Sequence, residues 1–233
     1  MILKTYPSSE QVARALIEEE ILPLSQAGRL RMAVSGGSTP KLLFELMAGE
    51  DYRERIAWHH IELYWVDERC VPPTDSESNY GMTRRALLEH VPLLAEQIHR
   101  IHGEADPEQE AERYTQLVRQ RLPMASSLPV FDLIILGMGD DGHTSSIFPH
   151  QMKLLVTPTP YVVATHPSGQ KRIALTGPTI LAARRVLFHA VGASKGAILA
   201  EILSQAPGSE AYPSAYLIRE RDDIAFYTDQ QLH

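Results

Sequence analysis

The sequence predicts an α/β fold in three layers, a largely parallel sheet flanked by helices. Strand-like apolar runs alternate with helix-like segments along the chain, the pattern of strands joined by crossover helices. One run, Asp132-Leu133-Ile134-Ile135-Leu136, is apolar after its first residue, which suits a strand buried on both faces. The strand-like runs then break into small-residue turns before the next helix, as at Ser35-Gly36-Gly37-Ser38-Thr39-Pro40 and Gly192-Ala193-Ser194-Lys195-Gly196. In open α/β sheets such turns, beyond the carboxyl ends of the strands, are where ligands bind.

The elements follow in order. Ile2 to Tyr6 reads as a short edge strand. Ser8 or Ser9 caps a helix from about Glu10 to Leu22, and Gln26 to Arg29 is a turn. Arg31 to Val34 is a strand, and Lys41 to Met47 a helix with Pro40 at its first position, where a missing N–H costs nothing. Ile61 to Val66 is a strand that delivers Asp67, Glu68 and Arg69 to its end. A loop over 72–80 precedes a helix from Gly81 to His90. Leu93 to Ile101 is a connector. Asp106 or Pro107 starts an amphipathic helix to about Leu122, whose charges form a solvated face. After the strand at 132–136, Thr144 and Ser145 cap a short helix limited by Pro149. Gln151 to Pro160 is a linker. Strands then follow at Tyr161 to Thr165 and Ile173 to Thr176, joined by the turn His166 to Arg172. Gly177-Pro178 opens a helix to Ala183. Val186 to Val191 is a strand, Ala197 to Leu203 a helix, and strands at Ser214 to Ile218 and Ile224 to Tyr227 close the sheet.

Composition narrows the function. At 233 residues, 44% hydrophobic and 22% charged, the chain can bury a sizeable core and reads as one domain over 1–233. A formal charge of −7 argues against a nucleic-acid binder, which needs clustered Lys and Arg. Cys70 is the only cysteine, so no intramolecular disulfide forms and a thiolate metal site is not expected. Neither a membrane-length apolar run nor a signal pattern is evident, and a soluble cytoplasmic protein is the default.

Two segments carry candidate chemistry. The loop from Ser35 to Pro40 lies between a strand and a helix start. Backbone N–H groups and the helix dipole favour an anion there, Ser38 and Thr39 add hydroxyls, and Gly36 and Gly37 allow close approach. It lacks a P-loop lysine and a dinucleotide fingerprint, so a phosphomonoester is expected rather than a nucleotide triphosphate. The second segment is Gly137-Met138-Gly139-Asp140-Asp141-Gly142-His143, two acids and a histidine on a glycine turn beyond a buried strand. Arg69 offers a bidentate contact to phosphate, with Asp67 orienting a partner or holding Arg69. Lys195, near a helix start, adds positive charge.

Taken together, these motifs resemble the 6-phosphogluconolactonases, in the wider family that includes glucosamine-6-phosphate isomerases. The matching pieces are Ser35 to Pro40, Val66-Asp67-Glu68-Arg69 with Ser78-Asn79-Tyr80, Leu136 to Pro149, Lys171 to Thr176 and Gly192-Ala193-Ser194-Lys195. The resemblance implies one α/β domain related to the ribose-5-phosphate isomerase and CoA transferase-like fold. It implies hydrolysis of 6-phospho-D-glucono-1,5-lactone in the oxidative pentose phosphate pathway, with no metal or organic cofactor. The deaminating isomerases carry a glutamate before the proline of the Gly-His segment. Here that residue is Phe148, which favours the lactonase, as does Arg69 where those isomerases tend to have an aromatic residue.

Lactone hydrolysis needs an activated water, a stabilised oxyanion and a proton for the leaving ring oxygen. Unperturbed imidazole titrates at about 6.5, so a histidine can take a proton from water near neutral pH. His143 is the expected base, with Asp141 orienting its ring. The phosphate is expected on Gly37, Ser38 and Thr39, with Arg69 and Lys195 balancing its charge. Arg172 is a candidate for either the phosphate or the oxyanion. Gly137 and Gly139 are expected to aim backbone N–H groups at the oxyanion. The expected partner is a small sugar-phosphate lactone, bound by a monomer or weak homodimer. A serine nucleophile is disfavoured because no Gly-x-Ser-x-Gly elbow occurs. The competing readings are an aldose–ketose isomerase or deaminase, and a non-catalytic sugar-phosphate sensor.

Overall fold

A computed structural model describes residues 1–231 of the chain. In order, the elements are β1 (Ile2–Thr5), α1 (Ser9–Leu16), α2 (Leu22–Ala27), β2 (Leu30–Val34), α3 (Ser38–Ala48), β3 (Ile61–Trp65), β4 (Asp67–Arg69), α4 (Asn79–Thr83), β5 (Ile98–His99), α5 (Pro107–Arg121), β6 (Met124–Ala125), β7 (Leu128–Pro129), β8 (Leu133–Leu136), α6 (Met152–Leu155), β9 (Tyr161–Thr165), β10 (Lys171–Leu175), α7 (Gly177–Ala182), β11 (Arg185–His189), α8 (Ala193–Leu203), α9 (Pro213–Glu220) and β12 (Ala225–Thr228).

Seven strands form the main sheet in the order β1-β12-β11-β8-β2-β3-β5. Every neighbouring pair in it is parallel, so the predicted α/β architecture holds. The inner strands β3 and β8 are buried along their whole length, β8 as an unbroken apolar run and β3 with Glu62 as its one charged residue. The chain leaves β2 toward β3 and β5 on one side, and later returns to place β8, β11 and β12 on the other. The carboxyl ends of β2 and β8 therefore flank a topological switch point, where such sheets bind ligands. Here Ser35 N donates to Ile135 O at 3.1 Å, and Ser35 Oγ accepts from Gly137 N at 3.1 Å, tying the two candidate segments together.

Several expectations are corrected. Asp67–Arg69 are not a loose strand end but β4, which pairs antiparallel with β10 in a second sheet, β4-β10-β9. Residues 214–218 belong to α9, not to a strand. Pro213 fits the first turn of a helix, and Ser214 and Leu217, three apart, are both fully buried. No helix follows Thr144, because Ser145 and Ser146 adopt left-handed φ values of 53° and 57°. The stretch read as a linker holds α6. The first helix runs on through a π turn (Ile17–Ile21), where Leu22 N bonds Ile17 O, and so passes Pro23 without a break. Pro40 is the third residue of α3, not the first, a position where its absent N–H is still harmless.

Candidate active site

The turn beyond β8 is built by its own backbone and by neighbours distant in sequence. Gly139 N donates to His143 O at 2.9 Å, and Gly142 O accepts from Ser214 N at 3.1 Å and Ser214 Oγ at 2.8 Å. The turn presents Asp141 and His143 side by side. His143 Nδ1 lies 2.6 Å from Asp141 Oδ1, which also accepts from His143 N at 3.1 Å. Burial works to raise the Asp141 carboxyl, but the hydrogen bond and charge of His143 outweigh it and hold the group down at about 2. An ionised carboxylate only accepts hydrogen bonds, so the Asp141 side favours a proton on His143 Nδ1, and in the neutral ring that leaves the lone pair on Nε2. The His143 ring packs on Phe148, centroid to centroid at 4.4 Å.

Gly139 is demanded by this geometry. A Cβ there would sit 2.1 Å from His143 Nδ1, so any side chain would push the ring off Asp141. The expected oxyanion role of its N–H is corrected. Gly139 N is engaged by His143 O, and Gly137 N by Ser35 Oγ. Both donors are already spent within the chain.

The loop after β2 leads into α3, whose N-cap is Gly37, with Ser38 and Thr39 in its first turn. Neither side chain caps the helix, so its first N–H groups stay available. Gly36 lies against Asn79 so closely that a Cβ would meet Asn79 Oδ1 at 1.9 Å. Asn79 Nδ2 in turn donates to Asp67 O at 2.9 Å, and Asn79 Oδ1 is buried without a partner among the described residues.

β4 and β10 supply the cations. Their register sets Arg69 directly across from Arg172. Arg69 Nη1 donates to Glu77 O at 2.5 Å, and its Nε is buried without a partner among the described residues. Arg172 is 9% exposed, and its guanidinium lies over Phe148 at 5.8 Å. Burial, then the neighbouring Arg69, push Arg172 below its ordinary range. Asp67 does not hold Arg69. Its carboxylate accepts from Ser146 Oγ, which accepts from Arg172 Nη1 at 3.2 Å. On the opposite flank Lys195 pairs with Asp140, as does Ser194 Oγ at 2.8 Å.

A line of contacts thus joins the predicted site residues from Gly36 through Asn79, Asp67, Ser146, Arg172 and Phe148 to His143. Ser38 and Thr39 stand beside it at the start of α3. The sequence reading missed Glu68, Asn79, Ser146 and Phe148 as working parts. Glu68 is buried and accepts from Ser78 Oγ and from the backbone N–H groups of Arg69, Asn79 and Tyr80, which fixes the start of α4 beside Gly36. The available signal was the run Asp67-Glu68-Arg69 directly after a mainly apolar strand.

A family model described as glucosamine-6-phosphate isomerases/6-phosphogluconolactonase matches residues 7–226. The 6-phosphogluconolactonase of Aggregatibacter actinomycetemcomitans is 39% identical over 227 residues, covering 97% of this chain and 96% of that one. A crystal structure described as the devB protein superposes with a TM-score of 0.90 at 38% identity, covering 97% of this chain and 95% of that one. The 6-phosphogluconolactonase structure from Trypanosoma brucei gives a TM-score of 0.80 at 27% identity, with coverage of 97% and 95%.

Proposed function

The chain belongs to the glucosamine-6-phosphate isomerase/6-phosphogluconolactonase family, and from that premise we propose that it hydrolyses 6-phospho-D-glucono-1,5-lactone to 6-phospho-D-gluconate. It is then a carboxylic ester hydrolase of the oxidative pentose phosphate pathway. The observation that carries the mechanism is the 2.6 Å pair between His143 Nδ1 and Asp141 Oδ1. It leaves Nε2 as a base for water.

In the first step Nε2 takes a proton from water while the water oxygen adds to C1 of the lactone. The carbonyl electron pair moves onto its oxygen. Asp141 stays ionised and steadies the imidazolium. The tetrahedral species then collapses, the bond from C1 to the ring oxygen breaks, and the imidazolium returns its proton to that oxygen. One water is consumed, and the product acid releases one proton on ionising. The phosphate sits at the start of α3, on Gly36, Gly37, Ser38 and Thr39, where free N–H groups and the dipole favour it. Arg69 and Lys195 balance its charge, Lys195 exchanging Asp140 for the phosphate. Phe148 occupies the place of the glutamate that ring-opening isomerases carry, and an apolar ring there does no acid–base work.

The test follows freshly generated lactone with wild type beside His143→Ala. We expect a rate above spontaneous hydrolysis that falls about 100-fold or more in the variant, while 6-phosphogluconate still binds. An active variant would remove His143 from the base role. A folded wild type that binds product but adds nothing to the spontaneous rate would overturn the lactonase reading.

A further inference from the structure

We propose that Ser146 is a positioning residue that, with Asp67, holds Arg172 so that its guanidinium donates to the lactone carbonyl oxygen as negative charge develops there. The inference rests on the lactonase reading and adds the group that takes the oxyanion.

The segment Thr144-Ser145-Ser146 caps no helix. Its three hydroxyls are staples instead. Thr144 Oγ1 donates to Gly137 O at 2.8 Å, and Ser145 Oγ lies 2.7 Å from Leu175 O and 3.3 Å from Val66 O. Those contacts fix the turn to the residues just beyond β8 and β3 and to the last residue of β10. Ser146 differs, because both of its partners are charged side chains. It is 3% exposed and holds a left-handed φ of 57°, a conformation that persists in a non-glycine residue only where its surroundings demand it.

A hydroxyl has one proton. Ser146 gives it to Asp67, so toward Arg172 its oxygen can only accept. Asp67 therefore orients Arg172 through one oxygen without forming the bidentate pair that would consume the guanidinium's donors. Nε is sealed from solvent without a partner among the described residues, whereas Nη2 makes no hydrogen bond among them and is not sealed, so Nη2 is the donor left for a substrate oxygen. The guanidinium also shares the Phe148 ring with His143, at 5.8 Å and 4.4 Å, which sets it at the reacting end of the substrate. The backbone N–H groups of Gly137 and Gly139 are engaged within the chain, so neither competes for the role.

The experiment is a double-mutant cycle on lactone turnover, with binding of D-glucitol 6-phosphate measured alongside. That probe carries the phosphate and hydroxyls but no C1 carbonyl. Arg172→Ala should lower kcat about 100-fold or more, the scale of losing one oxyanion donor. Ser146→Ala should lower it about 10-fold, and both variants should bind the probe like wild type. In the Arg172→Ala background, Ser146→Ala should cost nothing further, since its effect runs through the arginine. Ser146→Gly, which relieves the left-handed backbone but also lacks the hydroxyl, should be as slow as the alanine variant. Effects that multiply, or a glycine variant at the wild-type rate, would overturn the positioning role. Lost probe affinity with kcat retained in Arg172→Ala would move that residue to the phosphate and overturn the oxyanion role. An inactive wild type would topple the lactonase reading as well, and is told apart because every other failure leaves wild type active.

Discussion

Asp141 and His143 stand two residues apart, and a single turn makes them partners. That closeness made the pair legible once the family resemblance was read with it. Asp141→Asn removes the charge proposed to steady the imidazolium and offers Nδ1 an amide instead of a carboxylate. We expect kcat to fall about 100-fold or more while affinity for 6-phosphogluconate is kept, measured by turnover and titration calorimetry. Because Asp141 is held at about 2, it stays ionised through the working range and cannot supply the acid limb of the wild-type pH–rate profile. Gly139→Ala tests the same geometry without touching charge. Its methyl group would arrive 2.1 Å from Nδ1, so the ring must leave Asp141, and turnover should collapse while the fold survives thermal melting. The contact of Ser146 with Asp67, in contrast, spans 79 residues of sequence. Nothing in local spacing announces it, and the segment reads from sequence as a helix cap because Ser and Thr usually serve there.

At the scale of elements, β4 shows why a short polar segment was misread. Asp67-Glu68-Arg69 lacks the apolar alternation of a strand, and its pairing partner β10 lies a hundred residues away in the chain. Its backbone is strand all the same, and its side chains build the site. Glu68 fixes the start of α4, and with it Asn79 and the close approach to Gly36. Burial pushes the Glu68 carboxyl up, against the opposing pull of the N–H groups of Tyr80, Asn79 and Arg69. Glu68→Gln presents an amide N–H₂ to donors that need an acceptor, and should destabilise the protein by about 2–3 kcal/mol in chemical denaturation. Its KM should rise as the Gly36 loop loses its backing. An unchanged denaturation midpoint would show that α4 holds its start without the carboxylate. The α9 segment failed for the opposite reason. Ser214 to Ile218 looks like a strand because it is short and mostly apolar, and only Pro213 and the packing of Ser214 on Gly142 O favour the helix.

Across the whole molecule, the parallel sheet was legible because its strands are short and mainly apolar and alternate with helices, whereas the strand order, and with it the switch point between β2 and β8, is set by pairings distant in sequence. Burial in that sheet also sets how the protein answers acid. His189, at the carboxyl end of β11, is 3% exposed and its Nδ1 has no partner among the described residues. Burial drives the imidazole well below its ordinary 6.5, to about 4, with Asp229 pulling weakly the other way. The unfolded chain therefore binds a proton at His189 that the folded chain refuses between those two values. Stability from this residue is complete above about pH 6.5 and is lost as pH falls toward 4, on the order of 3 kcal/mol in all. His99, also buried and also lowered chiefly by burial, adds to the same slope. His189→Gln cannot take up the proton. Denaturation series at pH 7.5 and pH 4.5 should show the wild type losing more stability between them than the variant, whatever the variant's stability at neutral pH. Equal losses would mean that His189 finds a way to be protonated inside the fold, by water reaching Nδ1 or by Asp229 moving onto it, and would assign the acid sensitivity of the molecule to its carboxylates instead.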